Sequence, residues 1–250
     1  VTLAGTDREP LSAGHVRTET AHIHFETYGD VTFSPLVVLH GNGEDLHSLD
    51  EQIRAFAARH WVVAIDTRGH GRSSGGTESW DFPLFSRDVL AVLDELNIDS
   101  THVFGYSDGG NIALQLVSDH PQRVRSVAVV GANLDPTGLH PWTRAVLIVQ
   151  RAALSIAARR SRRAAAALAK IVLMTDHPHL DPVRLRRPHI PALVIAGQRD
   201  VVRSGHTELI ARSLPGSELH ILRGAKHEIP FENAEQCNAL VLDFLRTVDA

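Results

Sequence analysis

Gly105-Tyr106-Ser107-Asp108-Gly109 lies between an apolar run, Val103-Phe104, and a helix-like run from Asn111 to Val117. That placement predicts a serine on a sharp turn from strand to helix. A serine held in a strained conformation, with its hydroxyl lifted clear of a sheet, leaves no room for Cβ atoms beside it. This is the physical reason for glycine at 105 and 109. Such a run also arises by chance, so its weight depends on a histidine and an acid following in a workable order.

Both follow. Ala192-Leu193-Val194-Ile195-Ala196 is an apolar strand candidate that leads through Gly197-Gln198-Arg199 to Asp200. Leu219-His220-Ile221-Leu222 is another, and its loop ends in His227. Taken singly, a serine in a glycine-rich turn is an ordinary turn residue, and a loop histidine or aspartate is an ordinary solvated one. Three of them at three strand ends form a nucleophile (Ser107), a base (His227) and an orienting acid (Asp200). A fourth strand candidate, Leu36–Leu39, runs into His40-Gly41-Asn42-Gly43. There a backbone N–H could meet the charge that develops on a carbonyl oxygen during acyl transfer. The expected oxyanion donors are the amides of Asn42 and Asp108, with Gly43 as a substitute for the first. The loop lacks the Lys-Ser/Thr of a phosphate loop, which argues against a nucleotide.

With these residues in place the chain resembles a family. His40-Gly41-Asn42-Gly43, Asp66-Thr67-Arg68-Gly69-His70-Gly71-Arg72-Ser73, Gly105 to Gly110, Gly197-Gln198-Arg199-Asp200 and His227 are similar to the successive signatures of α/β-hydrolase-fold serine hydrolases with a small cap. The resemblance runs from about Val16 to Leu245. Ser107-Asp108-Gly109-Gly110 and Gly131-Ala132-Asn133 are similar to bacterial esterase-like hydrolases and to the valacyclovir hydrolase group. Relatives that open epoxides or remove halides look different, since they carry aspartate where this chain has Ser107. The resemblance implies an α/β-hydrolase fold, an ester-like, amide-like or activated C–C substrate, and no cofactor.

The alternation of the chain agrees with an α/β class. Strand candidates Leu36–Leu39, Trp61–Ile65, His102–Gly105, Ser126–Val130, Ala192–Ala196 and Glu218–Leu222 are separated by helix candidates Ser48–Arg59, Phe82–Leu96, Gly110–Asp119 and Gly205–Ser213, and a last one covers Ala234–Thr247. This predicts a mostly parallel central sheet with helices on both faces. The stretch from Ala21 to Asp30 alternates as an antiparallel edge strand would.

From 134 to 188 the alternation stops. Two helical runs, Trp142–Arg159 and Arg162–Met174, precede a Pro- and His-rich stretch, so 1–133 and 189–250 read as the core domain and 134–188 as an inserted helical cap above Ser107. The insertion holds ten Arg or Lys against three acids, a net of +7; since the whole chain carries −4, the remainder carries −11. Arginines facing solvent are the expected reading. Docking on an acidic partner chain, a membrane surface or a second copy, and steering of an anionic substrate, are the alternatives.

Composition sets outer bounds. A chain of 250 residues with 43% apolar content can bury a full core in one domain, and −4 gives no footprint for nucleic acid. The single cysteine, Cys237, rules out an internal disulfide framework and reads as a small buried hydrophobe in a helix. Val1 to Asp7 lacks a basic end and an apolar stretch, so no signal peptide is expected and the cytoplasm is the default; a leader removed before Val1 would leave no trace. The sixteen histidines invite a metal, but neither His22/His24 nor His177/His179 has metal-ligand spacing with further ligands, and none is expected. His70 reads as a turn-packing residue and Asp66 as the acceptor that anchors its loop. Asp108 is expected to cap the following helix, the alternative being a contact to a substrate ammonium.

The expected activity is hydrolysis of small carboxylic esters or related acyl compounds through an acyl-enzyme on Ser107. A C–C, lactone or perhydrolase reaction on the same three residues is the alternative, and a non-catalytic ligand sensor is the alternative of another class. The expected partner is a small ester-like molecule, not nucleic acid or a membrane, with self-association through the basic insertion left open.

Overall fold

The computed structural model describes residues 9–186 and 189–250; the Val1–Asp7 stretch and the Arg187-Pro188 end of the insertion lie outside them. Eight strands form one sheet: β1 (Ser12–Arg17), β2 (His22–Tyr28), β3 (Pro35–Leu39), β4 (Trp61–Ile65), β5 (Thr101–Tyr106), β6 (Val124–Val130), β7 (Ala192–Gly197) and β8 (Glu218–Leu222). Their order is β1-β2-β4-β3-β5-β6-β7-β8. The β1–β2 and β2–β4 pairs are antiparallel, and every later pair is parallel.

The strands that read as continuous apolar runs are those covered on both faces. Successive side chains on a strand point to opposite faces. Val37, Leu39, Val63, Ile65, Val103, Val127 and Val129 therefore join one core with helices α2 (Phe82–Glu95), α3 (Asp108–Asp119) and α7 (Ser204–Ser213). Leu36, Val38, Val62, Ala64, Phe104, Ala128 and Val130 join a second core with α1 (Asp50–Ala57) and α9 (Ala234–Val248). Each of the Val, Leu, Ile and Phe side chains among them contributes ~1.5–3 kcal/mol when fully buried. Cys237 is fully buried in this second core, and burial pushes its thiol up to about 12. The expected α/β class and two-faced sheet are both present.

One expectation needs correcting. The strand read as an edge, β2, lies inside the sheet, because β1 pairs along its outer side. Its polar residues His24, Glu26 and Thr27 are buried. The loop after β4 covers the first two: Ser73 Oγ accepts the His24 amide at 2.7 Å and Arg72 pairs with Glu26 at 3.0 Å, while Thr27 bonds Ser12 of β1 at 2.7 Å. Polar alternation in the sequence marked a covered polar face, not a solvated one.

From β6 to β7 the described residues contain helices α4 (Pro141–Ala157), α5 (Arg162–Asp176) and the short α6 (Pro182–Leu185), with no strand. α4 and α5 pack together as a hairpin whose base is tied to the core: the His140 amide donates to Val201 O at 2.9 Å and the Leu180 amide to Leu134 O at 2.8 Å. A last short helix, α8 (Ile229–Glu232), follows β8. No helix among the described residues is long and apolar enough to cross a membrane.

Candidate active site

The strand order reverses around β3, whose successor β4 lies on one side and β5 on the other. In open α/β sheets such a reversal leaves a crevice at the carboxyl ends of the strands, where ligands bind. Asn42 follows β3 and Ser107 follows β5, so the two loops singled out in the sequence flank that crevice. Asp200 follows β7 and His227 follows β8.

Ser107 stands between β5 and α3 with φ 53° and ψ −117°, a conformation that ordinary side chains rarely adopt. The flanking glycines are required sterically. A Cβ at Gly109 would lie 2.2 Å from Leu39 O, and one at Gly105 would lie 2.3 Å from Gly109 O. The hydroxyl of Ser107 donates to His227 Nε2 at 2.9 Å. His227 Nδ1–H donates to Asp200 Oδ1 at 2.7 Å, which fixes the tautomer because a carboxylate only accepts. The amides of Val202 (3.0 Å) and Gly197 (3.3 Å) hold Asp200 in turn. The structure thus brings the three sequence-chosen side chains into one bonded line.

Burial works against the charged form of both His227 and Asp200. Their mutual hydrogen bond and charge outweigh it, so the imidazole lies above the ordinary histidine value and the carboxyl below the ordinary aspartate value. Gly131, at the end of β6, makes room for the ring: a Cβ there would sit 2.7 Å from His227 Cε1.

Asn42 and Asp108 line the same cleft as Ser107. The Asp108 amide is in the first turn of α3, where N–H groups have no intrahelical acceptor and the helix dipole favours negative charge. Among the described residues the Asn42 amide donates to no protein acceptor. Gly43, the expected substitute, is not free for that role, since its amide donates to His70 Nε2 at 3.0 Å. His70 therefore does more than pack a turn. Burial pushes its pKa down to about 3, so it stays neutral and can accept that bond. Asp66 anchors the loop by accepting the amides of Leu46 (2.9 Å) and Arg72 (2.8 Å).

Asp108 departs from the capping expectation. Its carboxylate accepts from the side chains of Asn42 (2.8 Å) and Asn111 (3.3 Å), not from a backbone amide of its helix. As the first residue within the helix, not the residue preceding it, Asp108 is out of place for a cap, and it borders the cleft. Burial raises its pKa to about 6 against the lowering effect of those bonds.

The cleft is small, about 210 Å³. Its outer wall comes from the insertion, through Leu139, Thr143, Leu147, Met174 and His177. The sequence reading missed several residues. Asn111 and Asn133 bond reciprocally, the Asn133 amide to Asn111 Oδ1 at 2.8 Å and Asn111 Nδ2 to Asn133 Oδ1 at 3.1 Å, which locks α3 to the loop after β6. Glu44 lines the cleft and accepts the Gly41 amide at 3.0 Å, and burial raises its pKa. Asn133 stands in the Gly131-Ala132-Asn133 run, and nothing in the local pattern marks Glu44.

The comparisons with known proteins agree with this architecture. A family model described as alpha/beta hydrolase fold matches residues 34–170, which include Asn42 and Ser107 but stop short of Asp200 and His227. The chain belongs to the alpha/beta hydrolase fold family. It is 31% identical over 240 residues to the dihydrolipoyllysine-residue acetyltransferase component of an acetoin cleaving system from Pseudomonas putida, covering 85% of this chain and 64% of that protein, so it spans under two thirds of that relative's length. It is 25% identical to the serine hydrolase BPHL of Homo sapiens, covering 94% of this chain and 87% of the relative. Among solved structures, one described as "Est816 as an N-Acyl homoserine lactone degrading enzyme" superposes with a TM-score of 0.75 at 28% identity, covering 92% of this chain and 100% of that one.

Proposed function

We propose that this chain is a cofactor-independent serine hydrolase that cleaves small carboxylic esters or related acyl compounds, lactones included, through an acyl-enzyme on Ser107. The observation that carries the reading is the bonded line from Ser107 through His227 to Asp200. Ser107 Oγ attacks the acyl carbon as its proton passes to His227 Nε2. Asp200 holds the working tautomer and stabilises the imidazolium, and the amides of Asn42 and Asp108 meet the oxyanion. His227 then gives the proton to the leaving alcohol, takes one from the water that attacks the acyl carbon, and returns it to Ser107 Oγ as the acyl–Oγ bond breaks and the acid leaves. The likeness to Est816, described as an N-acyl homoserine lactone degrading enzyme, supports the lactone arm. The 210 Å³ cleft favours short acyl groups. Residues 134–188 serve as the cap of this core, and the lone cysteine supports a reducing, cytoplasmic setting. Labelling with a fluorophosphonate, mapping of the adduct to Ser107 and a panel of esters of graded acyl length test the reading. An unlabelled Ser107 in active protein overturns it.

The raised pKa of His227 sets the pH dependence. His227 must be neutral to act as base, so kcat/KM falls as pH drops, through an ionisation above the ordinary histidine value of about 6.5. A profile of kcat/KM against pH on a neutral ester checks this; a limb centred well below that value contradicts it.

A second reading rests on Asp108, whose carboxylate borders the cleft without capping α3. With a pKa of about 6 it is mostly ionised at neutral pH and could pair with a substrate ammonium. Asp108→Asn should then raise KM several-fold for an α-amino ester and leave a neutral ester of equal size within about twofold, at a cost near one charge-assisted hydrogen bond. Equal effects on the two esters dismiss the ammonium contact. In either case the acid limb persists, because Asp108 is the weakest influence named on His227.

A further inference from the structure

Helix α4 has two unlike faces. Thr143, Leu147 and Leu154 lie toward the body, half-buried, and the first two line the cleft. On the opposite side Trp142, Val146, Val149 and Ile156 are 66%, 44%, 69% and 71% exposed. With Ala153, these residues follow at steps of four, three, four and three, which at 3.6 residues per turn confines them to roughly 80° of arc. No part of the described chain covers this stripe, and α4 contains no buried residue. Scattered exposed apolar residues are ordinary, but a continuous stripe along one helix is not.

The charges around the stripe say what fits it. Arg144 lies near the Trp142 end, and Arg159, Arg160, Arg162 and Arg163 crowd the turn beyond Ile156, all exposed. Among the described residues these five make no ion pair, whereas Arg151 and Arg184 of the same insertion pair with Asp176 and Asp119. The insertion carries +7 and the remainder of the chain −11, so an anionic surface attracts this face and repels the rest. A second copy laid on the stripe would bring two sets of unpaired arginines together. A helix with an apolar stripe, a terminal tryptophan and flanking arginines has the make-up of one that lies in the plane of a lipid interface.

We propose that the outer face of α4 docks on membranes that carry anionic lipid, which would bring the cleft wall formed by the same helix to the lipid surface. Sedimentation with phosphatidylcholine vesicles, with and without phosphatidylglycerol, tests it on the full chain. The expected result is binding to the anionic vesicles alone, weakened by salt. Val149→Glu, at an exposed position, should lower that binding roughly tenfold or more, as should Arg162→Glu with Arg163→Glu. Both variants should keep kcat/KM on a water-soluble neutral ester within a factor of about three, because solvated charges beyond about 10 Å are screened. Ser107→Ala should bind vesicles as the unaltered protein does, which separates failure of this proposal from failure of the hydrolase reading. Binding unaffected by Val149→Glu, equal binding to neutral vesicles, or no binding to either overturns the proposal. So does a concentration-dependent dimer, seen by analytical ultracentrifugation, that Val149→Glu abolishes.

Discussion

Ser107→Ala should lower ester turnover by roughly 10⁵–10⁶ while the protein still folds. The loss is large because the three groups act as a unit: without Oγ there is no nucleophile, and the imidazole that Asp200 orients has no proton to take. The remaining amides and cleft would leave only the modest acceleration that oxyanion stabilisation and binding give over water. The fold should survive, since the side chain bonds only to His227 and alanine meets the same backbone constraint. That constraint makes a companion outcome: Ser107→Gly should be equally inactive but more stable than Ser107→Ala by ~1 kcal/mol or more, because glycine alone takes φ 53° without strain. Purified Ser107→Ala retaining more than a tenth of the activity would show that another group is the nucleophile.

How much of this was legible in the sequence follows from the kind of physics each feature obeys. The central parallel strands announce themselves because both faces are buried, so Leu36–Leu39 or Ala192–Ala196 admits no polar residue. The β2 misreading has the converse cause. His24 and Glu26 look solvated in a one-dimensional pattern, and only the loop from Asp66 to Ser73, folded back with Ser73 and Arg72 as partners, makes them interior. The same loop is fixed by Arg68, 1% exposed and doubly bonded to Asp88 at 2.6 and 2.8 Å, a pairing between residues 20 apart that no local pattern carries.

The site divides in the same way. Ser107, Asp200 and His227 were legible because each sits at a strand end, and strand ends are local features. Gly43 was misjudged because its amide is taken by His70, which lies 27 residues further along the chain. Asp108 was read as a cap because acids favour helix N-termini; which donor captures its carboxylate depended on Asn42, brought beside it only by the adjacency of β3 and β5. The apolar stripe of α4 was hidden within a helix that looked like ordinary cap packing, because sequence does not say which side of an amphipathic helix is covered.

Asp200→Asn should lower turnover by roughly 10³–10⁴, less than loss of the nucleophile, because Ser107 and the oxyanion amides remain. Asparagine is nearly isosteric; with its NH2 turned to the Oδ1 position beside His227, its carbonyl can still accept the Gly197 amide, while the Val202 amide loses its acceptor. Two things fail. The amide can present N–H to His227 Nδ1, which favours the tautomer carrying its proton on Nε2, where Ser107 must deliver its own; and no carboxylate remains to stabilise the imidazolium. The second failure has a separate signature. Burial depresses the His227 pKa, and the Asp200 bond and charge are the largest effects holding it above the ordinary value. Removing them lets burial dominate, so the acid limb of residual activity should move to lower pH even as the plateau collapses. A variant with reduced rate and an unmoved limb would mean that Asp200 only shapes the loop. Full activity would transfer the orienting role to another carboxylate, and Glu44, which lines the same cleft, is the one to substitute next.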